Sequence, residues 1–539
     1  MGCNNSKEED VQNPRMQPVR ASGLDHMPDD LASDLVQHTI VKDISDTFEF
    51  LDVIGEGSFG SVMKATNKKT NKTWAVKVVE LNNELDKKAL LNEIGIVKRL
   101  QHPNIVRVIA SYEDSKRMYM VMQLLPGAEL FTHLHVRGRQ FNEAEVRKLI
   151  LCLLRAVSYL HSNQITHRDL KLENLLLENE NQPTSLKLID FGLSKFVKKG
   201  ERMQQSLGTI DYVAPEVLDG DYNEKCDLWS VGVICYELVT RVSPFHGETN
   251  DDTMHKIFDG IKPSFFHGEV WQTVSPDCIH FIKSLIQEDP SERLSAEQAL
   301  NHRWIRTSAT GVIDDNKRQL FMKMVSFGKN CSQLKSTAML SVAMGVSEEH
   351  IKPEIVSEVF HSMDKDKDGT LNADEFCEAL EEYGIGHDEA LGVFSRMDQS
   401  KRGKINYIEF VAAVLDEFGD DTMKEAFAIL DAEKTGRISV VGLQSVFKNA
   451  KEADLKAMVA SADVKGDGSV DFEEFKLMFA PDAPPTKPSL ATITETPPSP
   501  SSAINFVAQS SQAALLGAGD SSVMSDAAVP LQPAGVPPA

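Results

Sequence analysis

Residues 167–174 read HRDLKLEN and set an acid, a cation and an amide at fixed separations between two apolar runs. Asp169 can accept the proton of an incoming hydroxyl, Lys171 can offset the charge of a phosphoryl group in transfer, and Asn174 can hold a Mg²⁺ ion. Further on stands DFG at Asp190–Gly192. Its Asp190 suits the Mg²⁺ that bridges two phosphates, because a multiply charged phosphoryl group can be approached only when metal and lysine offset its charge. APE at Ala214–Glu216 closes this group of motifs.

Toward the amino terminus, GEGSFGSV (Gly55–Val62) follows the apolar FEFLDVI. A lone GxGxxG is weak evidence, since dinucleotide folds and ordinary turns use it too. A dinucleotide fold, however, needs a helix straight after the glycines. Here a second strand-like run follows, Ser61 to Ala65, so the glycines form a hairpin able to lie over a nucleotide's phosphates. WAVKVV then puts Lys77 on a third strand, where its amine can hold phosphates, and LLNEIGIVKRL offers Glu93 on the next helix as the carboxylate that orients it.

Beyond this half the chain changes character. With 539 residues, 41% hydrophobic and 25% charged, it suits about three folded units. Of the formal charge of −23, about −15 falls between Val346 and Ala480, an acidic module that makes nucleic acid an unexpected partner. Four loops recur there, beginning at Asp364, Asp398, Asp431 and Asp463. The first, DKDKDGTLNADE, supplies calcium ligands from Asp364, Asp366, Asp368, the Thr370 carbonyl and Glu375, with Gly369 at the turn and Asn372 at position 9. The fourth keeps Asp463, Asp467, Ser469, Asp471 and Glu474 and is expected to bind calcium, although Lys465 replaces an oxygen ligand. In the second, Arg402 stands where a ligand oxygen belongs, so binding is doubtful; in the third, Gly442 stands where the closing glutamate belongs, and the loop reads as a structural partner. The apolar residues Leu371, Ile405, Ile438 and Val470 at position 8 predict that loops pair one with two and three with four.

With all its motifs in order, 48–305 resembles a eukaryotic protein kinase, and Lys171 and Thr209 (in GTIDYVAPE) resemble the serine/threonine branch. The resemblance implies nucleotide contacts from Ile54, Gly55, Glu56, Gly57, Ser58, Phe59, Gly60, Ser61, Val62, Ala75, Lys77 and Glu93. It makes Met122 the gatekeeper, Gln123 to Leu125 the hinge and Glu129 a neighbour of the ribose. Glu129 and Glu173 imply protein substrates with basic residues near the target hydroxyl. Gln205 stands where many kinases carry a phosphorylated threonine paired with Arg168, and Ser206 is off register, so phosphorylation of this segment is not expected to be the main switch.

Between the kinase and the acidic module, 306–345 carries several Lys and Arg and an apolar stripe at Leu320, Met324, Phe327, Cys331, Leu334 and Ala338, which predicts one basic amphipathic helix. Kinase, junction and four EF-hand-like repeats together resemble the calcium-dependent protein kinases of plants and protists. The implied fold class is α+β: a bilobal kinase, then an all-α calmodulin-like domain of two EF-hand pairs at 346–480. The implied cofactors are ATP, Mg²⁺ and Ca²⁺. The junction would restrain the kinase until calcium-loaded lobes grip its stripe.

The first residues, MGCNNSK, fit myristoylation of Gly2 with Cys3 beside it for palmitoylation, so 1–47 is expected to be a flexible, acylated segment at the cytoplasmic face of a membrane, expected to be the plasma membrane. Seven scattered cysteines without a CxxC pair or secretory signal suggest a reduced, intracellular setting. The Pro/Ser/Ala-rich stretch 481–539 is expected to be disordered. Two other readings compete: a catalytically inactive calcium-sensing scaffold, against which Lys77, Asp169, Asn174 and Asp190 argue, and a constitutive kinase with a passive EF-hand module.

Overall fold

The computed structural model describes residues 36–57, 60–81, 84–198, 200–205, 208–306, 314–345, 353–415, 420–447 and 450–479. The expectations for Gly2, Cys3, Ser58, Phe59, Ser206 and the 481–539 tail lie outside the described residues.

The amino-terminal lobe is built from β1 (Gln37–Ile40), β2 (Phe48–Gly57), β3 (Gly60–Asn67), β4 (Thr73–Glu80), β5 (Val108–Glu113) and β6 (Arg117–Met122), with helix α1 at Glu84–Val97. These strands form one sheet in the order β1-β5-β6-β4-β3-β2. The antiparallel β2–β3 pair runs out to Gly57 opposite Gly60, as the glycine hairpin predicts. Gly60 has φ +142°, and a Cβ there would come within 2.1 Å of the Val78 carbonyl oxygen, so only glycine fits this close approach of two strands. The parallel pairing of β1 with β5 corrects the expectation that 1–47 is flexible throughout. Val36 and Ile44 are buried, and the His38 ring bonds Ser111 Oγ at 3.0 Å, so this edge strand has both an apolar and a polar anchor.

The carboxy-terminal lobe centres on α2 (Glu143–Ser162) and α3 (Cys226–Thr240). Asn142 starts α2 with a complete capping box, accepting from the Glu145 N–H while Glu145 accepts from its own. Buried continuously from Cys226 to Leu238, α3 serves as the lobe's central post.

The junction is two helices rather than one: α4 (Asp314–Asn330) and α5 (Gln333–Gly345). The break has a local cause. Ser332 Oγ accepts from the Lys335 N–H at 3.3 Å and its carbonyl from the Ser336 N–H at 2.9 Å, so the serine caps a new helix. Leu320, Met324, Leu334 and Ala338 are buried, with Phe327 and Cys331 half-buried, as the stripe predicts. In α5, however, Ser336 to Met344 are buried without interruption, so this half is a core helix rather than an amphipathic one.

The cause lies in its neighbours. α5 packs against Tyr407–Val414 of the first EF-hand pair and against Asp420–Leu430 and Glu452–Ala460 of the second. α4 packs against His387–Met397, Tyr407–Val414 and Pro353–Met363. Loops pair as expected, Leu371 opposite Ile405 and Ile438 opposite Val470. Arg107 of the amino-terminal lobe donates to the Ala343 carbonyl at 2.6 Å, bonding one of the last carbonyls of α5.

A buried ion pair ties the APE motif to the lobe: Arg293 Nη1 lies 2.5 Å from Glu216 Oε1 and Nη2 3.0 Å from Oε2. Arg293→Ala strands a buried carboxylate and is expected to destabilise the kinase by about 3–5 kcal/mol, measured by denaturant unfolding. A change below about 1 kcal/mol would show that water enters and solvates Glu216.

Candidate active site and calcium loops

Strand β4 delivers Lys77 to the floor of the glycine hairpin, opposite Val62 on β3, while Ala75 lies opposite Met122 on β6. Lys77 Nζ lies 2.7 Å from Glu93 Oε1 and 3.2 Å from Asp190 Oδ1. Burial alone would lower the Lys77 pKa, but the two carboxylates outweigh it and hold the ammonium charged beyond its ordinary range. Burial likewise opposes ionisation of Asp190, and Lys77 overcomes it, keeping the carboxyl below its usual range. Asp190 sits at φ +58°, a left-handed conformation that a non-glycine residue enters at a cost of about 1 kcal/mol or more. The Gly192 N–H, donating to Asp190 Oδ1 at 3.2 Å, helps to hold it there.

In the catalytic loop, Asp169 Oδ1 accepts from Thr209 Oγ1 at 3.0 Å and from the Thr209 N–H at 3.1 Å, while Lys171 Nζ lies 3.1 Å from Asp169 Oδ2. Asn174 Nδ2 donates to the Asp169 carbonyl at 2.8 Å, which leaves the amide oxygen as the metal-ligating atom of that side chain. Reasoning from sequence missed what holds this loop: Asp227 in α3, fully buried, accepts from the backbone N–H groups of His167 and Arg168, both at 2.9 Å, and bonds the His161 ring at 2.9 Å. Burial opposes its charge, yet the His161 ring and these bonds keep its pKa below the ordinary value. The available signal was an aspartate at the start of CDLWSVGVICYEL, a largely apolar run whose other charge is Glu237. Arg168, at φ +70°, donates from Nε to the Leu193 carbonyl at 2.6 Å. Tyr222 OH lies 3.4 Å from Arg168 Nη1 and donates to the Gln205 carbonyl at 2.7 Å, so protein groups link Arg168 to Gln205.

In the hinge, Gln123 donates from Nε2 to Glu178 at 2.5 Å and from its backbone N–H to the Arg107 carbonyl at 2.9 Å. Leu125 is half-buried beside it, and Glu129 bridges to Leu176. Burial, then the nearby Glu173 carboxylate, raises the Glu129 pKa, so these two acids form a patch whose charge a basic group would relieve.

Among the described residues, Asp364, Asp366 and Asp368 are the carboxylates that approach within 4.8 Å of one another as a metal-sized cluster. Asp364 Oδ1 is buried without a hydrogen-bond partner, and burial with the adjacent carboxylates pushes Asp364 up to about 8. These residues fit a calcium ion. Thr370 and Glu375 take the expected loop positions, with Glu375 buried and receiving the Lys365 and Asp366 N–H groups at 2.8 and 3.1 Å. The fourth loop brings Asp463, Asp467, Ser469 and Glu474 into the same frame, but Lys465 pairs with Asp471 and Arg437 of the third loop pairs with Asp467.

The first loop also touches the kinase. Ser158 of α2 donates to the Lys367 carbonyl at 2.8 Å, and Arg155 lies 3.2 Å from Glu358. Gly369 faces Tyr159 so closely that a Cβ would meet the ring at 2.5 Å. Beside this contact, His102 and His361 pack with ring centroids 5.4 Å apart.

A protein kinase domain model matches 48–305 and an EF-hand domain pair model matches 356–415 and 420–480. Calcium-dependent protein kinase 22 of Arabidopsis thaliana is 32% identical over 474 residues, covering 84% of this chain and 94% of its own. The chain belongs to the calcium-dependent protein kinases. Similar relatives of that name include number 5 of Plasmodium falciparum, 31% identical over 83% of this chain and 81% of its own, and number 15 of rice (Oryza sativa subsp. japonica), 34% identical over 83% and 84%. This calcium-dependent protein kinase is a calcium-activated serine/threonine kinase with the expected α+β organisation; its kinase domain implies ATP and Mg²⁺, and its EF-hands imply Ca²⁺.

The seam between the kinase and the first EF-hand has a pH dependence that follows from its histidines. Burial, then Arg155 and Lys187, holds His102 well below its ordinary 6.5, and burial, then Arg155 and His102, does the same for His361. Both are neutral when docked, whereas released imidazoles protonate near 6.5. Docking is therefore fully favoured above about 6.5 and progressively opposed as pH falls below it. Energy transfer between dyes on the kinase and the first EF-hand is expected to fall between pH 7.5 and 5.5, and His361→Phe to flatten that fall. An equal response in the variant would remove this histidine from the cause.

Proposed function

We propose that Asp169, Lys171 and Asn174 carry out the transfer and that Lys77, Glu93 and Asp190 position the nucleotide. Asp169, held beside Lys171 and Thr209 in a chain that also forms the Lys77–Asp190 pair, is the observation that carries this reading. The substrate serine or threonine hydroxyl gives its proton to Asp169 as its oxygen bonds the γ-phosphorus, and the bond to the ADP oxygen breaks. Lys171 offsets the charge on the moving phosphoryl group, and Lys77, oriented by Glu93, holds the α and β phosphates. Asp190 and the Asn174 amide oxygen would hold Mg²⁺, which neutralises charge on the transferring phosphates when bound.

Ile54, Gly55, Val62, Ala75, Met122, Gln123 and Leu125 enclose the nucleotide, and Glu129 reaches the ribose. Glu129 and Glu173 select protein substrates with basic residues near the target, since an arginine or lysine there relieves two crowded carboxylates. For regulation, the junction restrains the kinase until calcium at the first loop lets the EF-hand pairs grip α4 and α5. The burial of α5 between both pairs, with the first loop resting on α2, supports this reading over a passive EF-hand module. Purified full-length chain, assayed with Mg·ATP and a basic peptide, is expected to transfer phosphate in proportion to free calcium. Asp169→Asn should lower kcat by at least 10²-fold at saturating calcium. Equal rates with and without calcium would favour the constitutive reading, and no transfer at any calcium level the scaffold.

We also infer that Gly2 is myristoylated and Cys3 palmitoylated, which places the kinase at the cytoplasmic face of a membrane such as the plasma membrane. The motif supports this, and two acyl chains anchor stably where one binds only marginally. Gly2→Ala is expected to move the chain from the membrane to the soluble fraction; unchanged partition would overturn the assignment.

A further inference from the structure

Each EF-hand loop begins with an aspartate, and what its two oxygens do separates the first loop from the other three. In all four, Oδ2 accepts from the N–H of the turn glycine: Gly369 at 2.9 Å, and Gly403, Gly436 and Gly468 each at 2.7 Å. Oδ1 differs. In the second loop Asp398 Oδ1 accepts from the Arg402 N–H at 3.0 Å and from Ser400 Oγ at 3.2 Å. In the third, Asp431 Oδ1 accepts from the Thr435 N–H at 3.0 Å. In the fourth, Asp463 Oδ1 accepts from the Gly466 N–H at 2.6 Å and the Asp467 N–H at 3.1 Å. In the first, Asp364 Oδ1 is buried with no partner at all. A buried carboxylate oxygen left unbonded is costly unless a cation meets it.

The remaining ligands of the fourth loop are also taken. Lys465, at the third position, pairs with Asp471 at the ninth and lies 4.0 Å from Glu474 Oε2 at the twelfth. Arg437, reaching across from the third loop, pairs with Asp467 at the fifth and donates from Nε to Ser469 Oγ at 2.6 Å. Calcium needs six to eight oxygens. Here one ligand oxygen is absent and two side-chain cations lie on the acids that would supply others, whereas the first loop has an oxygen-bearing residue at every ligand position and one such cation, Lys404 of the second loop on Asp368. In the third loop Ser439 caps the exit helix by accepting the Gly442 N–H at 2.9 Å and donates to Glu433, so local groups occupy the neighbourhood of the closing glutamate.

We propose that this kinase senses calcium through a single ion per chain, bound at 364–375, and that the second EF-hand pair is closed by the chain's own Lys465 and Arg437. The proposal rests on the reading of the chain as a calcium-activated kinase and names its sensor. The second pair is then a fixed half of the clamp on α5, joined through Ile438 and Val470. The sensing loop is the one whose Lys367 and Gly369 touch α2, so the ion's effect reaches the kinase by direct contact. With one site, activation should rise with a Hill coefficient of about 1 rather than with the steepness of paired sites.

Isothermal titration of the full-length chain with CaCl₂ tests this by counting ions bound below about 100 µM, beyond the usual sensor range of roughly 10⁻⁷–10⁻⁵ M. The expected count is about one. Glu375→Gln and Asp364→Asn should each abolish it, and Glu474→Gln and Asp467→Asn should leave it unchanged. Replacing the cations together, Lys465→Asp with Arg437→Ser, should raise the count to about two. A wild-type count of two or more that falls with Glu474→Gln overturns the proposal while leaving calcium activation standing. A count of zero overturns both, and a double variant that stays at one overturns the closure by Lys465 and Arg437.

Discussion

Lys77 stands between Glu93 and Asp190, at 2.7 and 3.2 Å, and without its charge the two carboxylates would repel each other out of the cleft. The same constraint recurs across the molecule. Wherever carboxylates are gathered closely, a cation must be supplied, and its source sets what the site can do. In the catalytic cleft the protein supplies lysines but leaves Asp190 partly exposed, so metal and phosphate can enter the network. In the first calcium loop three aspartates converge, Lys404 of the second loop pairs with Asp368, and Asp364 Oδ1 stays buried without a partner, so a divalent ion can still enter. In the fourth loop Lys465 and Arg437 already balance the acids.

The catalytic machinery itself is held from behind. Asp227 on α3 fixes the backbone on either side of the His167–Arg168 bond, and the left-handed conformation of Arg168 persists because these bonds over-determine it. A buried charge this deep is tolerated because three donors meet it. The central post of the lobe and the placement of the catalytic base are therefore one structural problem, solved at a single residue.

Calcium control is laid over this frame through packing. α5 is buried among helices from both EF-hand pairs, its end meets Arg107, and the first loop rests on Ser158 and Tyr159 of α2. One lobe of the kinase is thus contacted by the junction and the other by the sensing loop. A change in that loop can act on the kinase without passing through a flexible tether.

The sequence by itself determined the chemistry: HRDLKLEN, DFG, the glycine hairpin with Lys77 and Glu93, and the four loops with their pairing residues are local patterns whose spacing dictates function. It also showed that the third loop lacks the closing glutamate, since Gly442 stands at its last position. Only the tertiary structure decided the rest. The charge on Asp227 gains meaning from backbone groups distant in sequence, the stripe at 320–338 divides because Ser332 caps a second helix, and β1 extends a segment expected to be flexible. Lys465 alone looked like one lost ligand. That it joins Arg437 of another loop in neutralising the fourth is a non-local fact, since charge balance depends on distance in space and not along the chain.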